Sequence, residues 1–385
     1  MTGTVSTLPS PAEILALHRL AVSTPSVSGQ EGPLAERMGE WLGGHGARVE
    51  RFGHTLLAIH EGATPGAPIL LLDTHLDTVP PAPGWSRDPY AATVEEGRVY
   101  GLGANDAKAS VAAMSAAFVA CLGGALPFAL ALALVEQEET KGLGTERVLG
   151  VLAERGRTIA GAIVGEPTGL DVAVAQKGLM VLELVARGDA CHAAHAQSLG
   201  ARNAARELAR DLLALEALDF PTHSTLGPVT VEPTQLRAGT ARNVLPAEAT
   251  ALLDVRTTPA VAPEEIALAI GGAVGAEVRV LSDRLRPRAT PQDSPLLAAA
   301  LAVRPVARLY GSPTLSDWAL IEAPAIKCGP GRSERSHRID EFVEEGEILA
   351  GVRFYLALIE ALASTDFPGL ARLQPGAFRS KEELR

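Results

Sequence analysis

Three apolar runs that each break off into acids or histidine constrain the fold of this chain more than any other feature. Ile69 to Leu72 leads into Asp73, His75 and Asp77 within ILLLDTHLDTVPP. Phe128 to Val135 leads into Glu136, Glu138 and Glu139, and Gly161 to Val164 into Gly165-Glu166-Pro167-Thr168. An unbroken apolar run of roughly four to eight residues is what a strand buried on both faces requires. Strands of that kind belong to a sheet covered by helices, and an open α/β sheet gathers its functional groups beyond the carboxyl ends of its strands. Three polar ends therefore predict one site at one sheet edge. If extended geometry persists past His75, His75 and Asp77 point the same way, which suits a metal ligand backed by an acid. A polar strand end with a helix cap is the competing reading of that segment.

The bulk properties narrow the class. At 385 residues the chain exceeds one typical core and predicts two domains. A formal charge of −11, with no basic stripe, argues against nucleic acid as a partner. The most apolar run, Leu126 to Val135, has about half the length a bilayer span needs, so no membrane partner is expected. Cys121, Cys191 and Cys328 form no CxxC pair, and MTGTVSTLPSPAE lacks a basic segment leading into an apolar run. A cytoplasmic protein is expected.

Along the chain, Ser10 and Pro11 open a helix, and a second runs from Gly32 to Gly43. Val49 to His60 and Ala67 to Asp73 read as strands separated by Pro65-Gly66, and Arg98 to Leu102 as a short strand. Gly101-Leu-Gly-Ala-Asn-Asp106-Ala-Lys108 precedes an alanine-rich helix, Ser110 to Leu122, and lacks the Walker spacing of a phosphate loop. After Lys177 the texture changes. Strand Leu179–Val185, helix Ala201–Leu218, strands Gly227–Gly239 and Glu248–Arg256, helix Pro263–Gly272 and strand Glu277–Leu281 follow in the β-α-β-β-α-β order of a ferredoxin-like domain. Helices at Pro295–Ala302 and Glu345–Ala363 return to the first texture, and residues 364–385 read as a loose tail. Residues 178–289 thus read as an insert that interrupts a domain formed by 1–177 and 290–385, which carries the three polar strand ends.

Taken together, THLDTVP (74–80), GLGANDAK (101–108), EQEET (136–140), GEPT (165–168) and GPGRSERSH (329–337) resemble the zinc-dependent aminoacylase/carboxypeptidase family that includes acetylornithine deacetylase and succinyl-diaminopimelate desuccinylase. The resemblance implies an α/β di-zinc catalytic domain, with a central mixed sheet flanked by helices, plus an inserted ferredoxin-like α+β lid that also forms a homodimer. It implies two zinc ions per subunit, with cobalt able to substitute. His75 and Glu166 would bind one ion, Glu139 and His337 the other, and Asp106 would bridge, donor types that suit zinc. Asp77 would orient His75 through its second ring nitrogen, and Glu138 would act as general base. A cis peptide often follows the bridging aspartate, here Asp106-Ala107.

In the insert, the resemblance makes His192 the oxyanion donor, with His195 as fallback, and Asn243 and Arg256 the substrate contacts. Backbone N–H groups of Gly329 and Gly331 would receive a carboxylate. Lys108 is expected in a structural ion pair, and Arg332 and Arg335 either face solvent or read an acidic part of the substrate. The chain departs from the family at Ala109 and Ser110 after Lys108 and at Cys191 before His192. Taken singly, Glu136, Glu138 and Glu139 read as a solvated strand-end cluster, His337 as exposed, and Asp106 as a helix cap.

The expected reaction is hydrolysis of an N-acyl amino acid in amino-acid biosynthesis. GPGRSERSH followed by IDEF places N-acetylornithine, and so arginine biosynthesis, first. An N-acetyl- or carrier-linked lysine intermediate or succinyl-diaminopimelate, of lysine biosynthesis, are the alternatives. A catalytically retired amino-acid- or peptide-binding protein and a di-metal phosphoesterase are the readings from other classes.

Overall fold

The computed structural model describes residues 8–365 and Phe367; the rest of the expected tail and residues 1–7 lie outside the described residues. The chain divides into two compact units. Among the described residues, one holds 8–174, 290–310, 316–365 and Phe367, and the other 175–289 and 311–315.

The larger unit is built on a mixed sheet. Its strands run in the order Val49–Phe52, Thr55–His60, Ala129–Val135, Ile69–His75, Ile159–Val164, Ala325–Lys327, Val172–Gln176. The central strands are parallel, and the hairpin Val49–Phe52/Thr55–His60 adds antiparallel pairing at one edge. Both faces are covered, and the sequence shows how. In Ala129–Val135 (ALALALV) the leucines at 130, 132 and 134 enter one core with Leu70, Leu72 and Phe118. Ala129, Ala131 and Ala133 enter the other with Ile69, Leu71, Val148 and Leu152. A pleated strand alternates its faces, so one side of the strand is bulky and the other small. The small face lets helix Leu143–Glu154 pack close. On the bulky face lies the alanine-rich helix Lys108–Cys121, every residue of which from Lys108 to Val119 is buried, beside the last helix, Glu345–Ala363.

Register brings the polar ends together. His75 lies opposite Val135, and Asp73 and Lys327 opposite Val164. Parallel strands that stop level release their next residues at one edge. Those residues are Glu136–Glu139, Gly165-Glu166 and the loop from Cys328.

Several boundaries differ from expectation. Val49 to His60 is two strands, because Gly53 turns with φ +67° and a side chain there would meet Arg147 and Glu136. The strand Val172–Gln176 and the extension of the last small-unit strand to Leu285 were not apparent from the pattern. At the first helix the expected start is present: Ser10 Oγ accepts from Glu13 N while Ser10 N donates to Glu13, a reciprocal cap.

The smaller unit is a four-stranded antiparallel sheet in the order Thr230–Ala238, Glu248–Thr257, Gly178–Arg187, Glu277–Leu285, with helices Ala204–Leu215 and Pro263–Ala273. That strand order is ferredoxin-like. Met180, Leu182 and Leu184 pack with Ala251, Leu253 and Val255 against Leu208, Leu215, Ile266 and Ile270 of the helices. Asn203 caps the first helix by accepting from Ala205 N at 2.9 Å.

Candidate metal centre

His75 is the last residue of its strand and is 1 % exposed. Its Nδ1 lies 2.9 Å from the backbone carbonyl of Asp77. A carbonyl only accepts, so Nδ1 carries a proton, and Nε2 is the nitrogen that would hold an ion once it gives up its own proton. Nε2 lies 3.3 Å from Asp106 Oδ1 and 3.9 Å from Glu166 Oε1. On the other side, His337 Nε2 lies 3.8 Å from Asp106 Oδ2 and 2.8 Å from Glu139 Oε1. Asp106 thus shows one oxygen to each histidine. Glu138 joins His75 and Glu166 in a second grouping whose candidate ligand atoms lie within 4.8 Å of one another.

The donor set fits divalent cations. Ligand atoms around a tetrahedral ion at about 2.1 Å are about 3.4 Å apart, close to the 3.3–3.9 Å separations at His75 and Asp106. The His337–Glu139 pair is a hydrogen bond and has to open by about half an ångström to share an ion. Charge points the same way, because four carboxylates, Asp106, Glu138, Glu139 and Glu166, converge on two imidazoles. Burial raises Glu138 well above the usual carboxylate range and pushes Glu166 up to about 8, with neighbouring carboxylates adding to both. Burial also pushes Asp106 up, but the His75 hydrogen bond and charge outweigh it and hold that carboxyl low. The hydrogen bond that His337 donates to Glu139 lifts the imidazole to about 9. Cations in the cluster would lower all these groups.

The loops carrying these side chains are fixed by other buried acids. Glu341 Oε1 accepts the N–H groups of Asn105 and Asp106, both at 2.9 Å. Burial pushes the Glu341 carboxyl up to about 8 against those donors. Asn105 accepts from Arg332 N at 2.8 Å and donates to Arg332 O at 3.0 Å, tying the Asp106 loop to the loop that carries His337. The Asp106-Ala107 peptide is cis.

Some expected roles change. Asp77 holds His75 chiefly by its carbonyl, since its carboxylate is 3.5 Å from Nδ1. The strand ends at His75, so the two side chains do not continue on one face. The Asp77 carboxylate instead accepts Glu138 N at 3.0 Å, Glu139 N at 3.1 Å and Ser28 Oγ at 2.7 Å. Gly329 is not an open anion receptor. Its N–H donates to Thr168 Oγ1 at 3.1 Å, and a Cβ would lie 2.5 Å from Ser110 Oγ. Gly331, at φ +85°, has Asn105 packed where a side chain would begin. Lys108 is fully buried and donates to the Thr24 carbonyl at 3.3 Å rather than to a carboxylate. Arg335 pairs with Glu347 at 2.6 Å and lies over the Phe342 ring, and Arg332, 61 % exposed, stands 3.6 Å from the same carboxylate.

In the smaller unit, His192 is exposed and its Nδ1 accepts from Ala194 N at 3.1 Å, which leaves the proton on Nε2. Asn243 O accepts from Ala193 N at 2.9 Å, so the His192 and Asn243 segments are joined by backbone pairing. Arg256 is not a free clamp. Its Nε and Nη2 face Asp254 at 2.8 and 3.0 Å.

Sequence reasoning gave no role to Glu341, Asn105 or Glu31. Glu341 stands in the IDEF stretch after His337, and an acid close behind a metal-ligand loop is the only signal it carries. Glu31, His54 and Glu136 also place ligand atoms within 4.8 Å of one another, but Arg147 pairs with Glu136 and Arg51 Nη2 is 3.4 Å from His54 Nδ1. Two guanidiniums on two of three donors disfavour a cation there. Cys121, Cys191 and Cys328 are free thiols, and no helix among the described residues is long and apolar enough to cross a membrane.

The family model for peptidase family M20/M25/M40 matches residues 71–361. A succinyl-diaminopimelate desuccinylase from Bordetella parapertussis is 33% identical over 270 residues, covering 66% of this chain and 70% of that one. One from Xanthomonas campestris pv. campestris is 30% identical over 367 residues, covering 88% and 95%. Among solved structures, a Bacillus subtilis protein described as a dinuclear metal-binding peptidase of the M20 family superposes with a TM-score of 0.69 at 17% identity, over 91% of this chain and 97% of that one.

Proposed function

The chain belongs to peptidase family M20/M25/M40 and is a metal-dependent hydrolase, and we propose that it removes the acyl group from an N-acyl amino acid by amide hydrolysis. One observation carries this reading: Asp106 faces His75 and His337 with separate oxygens, while Glu138 stands beside that set with its backbone held by Asp77.

Two zinc ions, or cobalt in their place, held by His75, Asp106, Glu139, Glu166 and His337, would supply Lewis-acid polarisation of the scissile carbonyl and acidify the attacking water. Glu138 takes the proton of that water and returns it to the leaving amine. Its backbone, held by Asp77, sets the direction from which the carboxylate projects, which suits a base that serves both steps. His192, with its proton kept on Nε2 by the Ala194 N–H, is the oxyanion donor. Asn243, on the strap paired to His192, supplies a substrate contact.

For the substrate, the relatives' names favour N-succinyl-diaminopimelate, and the GPGRSERSH–IDEF loop favours N-acetylornithine. We place the enzyme in amino-acid biosynthesis, in the cytoplasm and as a homodimer through the smaller unit. The free thiols agree with a reducing compartment. The deciding experiment measures amine release by metal-loaded protein from N-acetylornithine, N-succinyl-diaminopimelate, N-acetyllysine and a dipeptide. A preference of about tenfold, equal to about 1.4 kcal/mol of transition-state binding, names the substrate. Full metal loading with no amide hydrolysis would overturn the reading in favour of a retired binding protein, and phosphoester cleavage alone in favour of a phosphoesterase.

A further inference from the structure

We propose that Glu31 is a positioning residue for Glu138, setting the backbone from which the base projects. The inference rests on the reading of Glu138 as general base. The strand Ala129–Val135 ends one residue before a loop whose four successive amides are all held by side chains. Glu136 N lies 3.3 Å from Thr55 Oγ1, and Gln137 N 3.1 Å from Glu31 Oε1. Glu138 N and Glu139 N lie 3.0 and 3.1 Å from the two oxygens of Asp77. Gln137 has φ +60°, in the left-handed region that residues with a Cβ rarely occupy. Its carbonyl accepts from Lys141 N at 2.9 Å and Gly142 N at 2.6 Å, which closes the loop into a tight turn. Glu138 follows directly, so the direction of its Cα–Cβ bond depends on that turn.

Among the described residues, the hydrogen-bond donors to the Glu31 carboxylate are Gly29 N and Gln137 N. Glu31 stands at the N-cap of helix Gly32–Gly44, yet its side chain makes no capping bond. It is 0 % exposed, and its second oxygen has no hydrogen-bond partner among the described residues. Oε1 accepts from Gly29 N at 2.8 Å, and that bond fixes the carboxylate so that its other acceptor direction meets Gln137 N. Burying a carboxylate is costly unless donors hold it, and here the donors are the two backbone amides of Gly29 and Gln137. Asp77 and Glu31 therefore clamp three consecutive amides of the base loop from two separate segments. Asp77 alone fixes Glu138 and Glu139 relative to each other but leaves the turn at Gln137 free to relax.

The test uses Glu31→Met, which keeps the length and removes the acceptor, and Glu31→Gln, which keeps the acceptor and removes the charge. Amide hydrogen exchange of the metal-loaded full chain reads the geometry directly. Glu31→Met should speed exchange in 137–139 by about tenfold or more while the 129–135 strand stays protected. It should lower kcat about tenfold or more, with KM within about threefold and metal stoichiometry unchanged, and Glu31→Gln should restore most of kcat. Unchanged exchange and kcat in Glu31→Met would overturn the proposal, as would loss of protection across the strand or failure of Glu31→Gln to restore. If Glu31→Met does not fold, Glu31→Asp, one methylene short of Gln137, should give the same exchange pattern. Wild-type protein that hydrolyses no amide would sink the base reading, while the exchange measurement would still decide whether Glu31 holds the loop.

Discussion

His75 donates its Nδ1 proton to the backbone carbonyl of Asp77 at 2.9 Å, whereas the Asp77 carboxylate stands 3.5 Å away and faces the base loop. The usual division, in which a carboxylate orients a ligand histidine, is thus split between two groups of one residue. Replacing the side chain should leave the histidine's tautomer intact. Asp77→Ala is expected to keep metal stoichiometry near wild type and to lower kcat about 10–100-fold through a loosened Glu138. Atomic metal analysis beside steady-state kinetics checks this, and a kcat loss matched by metal loss would return the carboxylate to ligand support.

Glu138 sits with His75 and Glu166, while Asp106 is the carboxylate that faces both histidines. Glu138→Ala should retain metal and fold and lose about 10²–10⁴-fold in kcat. Loss of metal on substitution would make Glu138 a ligand and leave the base unassigned.

How much of this was legible in the sequence depends on where each partner lies. The alternation in ALALALV states both faces of its strand, and Ser10-Pro11-Ala12-Glu13 contains its own cap, because those partners are local. The break at Gly53-His54 was hidden because the turn is only two residues long and Gly-His is not among the usual hairpin pairs. Lys108 and Glu31 could not be read at all. Lys108 bonds the backbone of Thr24, 84 positions away, and Glu31 that of Gln137, 106 positions away, beside the local Gly29, and a backbone partner leaves no trace in residue type. Arg256 is the opposite case. A strand of period two puts Asp254 on its own face, so the competing pair was there to be seen.

That pair carries the third prediction. Arg256 bonds Asp254 through Nε and Nη2, the edge a bidentate clamp would use, and both side chains are about a third exposed. Arg256→Ala should change KM by less than about threefold and stability by about 1 kcal/mol at most. A KM rise of about tenfold or more would show that substrate displaces Asp254 from the guanidinium.

The small face of the central strand gives a fourth. Ala131 is fully buried among Leu57, Leu71, Val148 and Leu152. Ala131→Leu should cost about 1–3 kcal/mol by urea unfolding, because helix Leu143–Glu154 has to move outward. An unchanged midpoint would mean that this face is less tightly filled than its residues imply.

The last concerns pH. His18 is fully buried, with Nε2 2.8 Å from the Ala104 carbonyl and no partner for Nδ1 among the described residues. Burial lowers its pKa from 6.5 to about 4, and the charges of Lys108 and Arg19 oppose protonation further. Because the folded pKa lies below the unfolded one, the unfolded chain binds more protons between them. The stability from a neutral His18 is therefore complete above the unfolded value and is lost as pH falls through the folded one. A shift of that size corresponds to about 3 kcal/mol. Between about pH 7.5 and about pH 4.5, wild type should lose about 2–3 kcal/mol more unfolding free energy than His18→Gln, whose amide keeps a donor without titrating. Every other titrating group is common to both proteins, so the difference isolates His18. Equal losses would mean that the ring protonates without penalty, and that helix Pro11–Val22 opens to water before the chain unfolds.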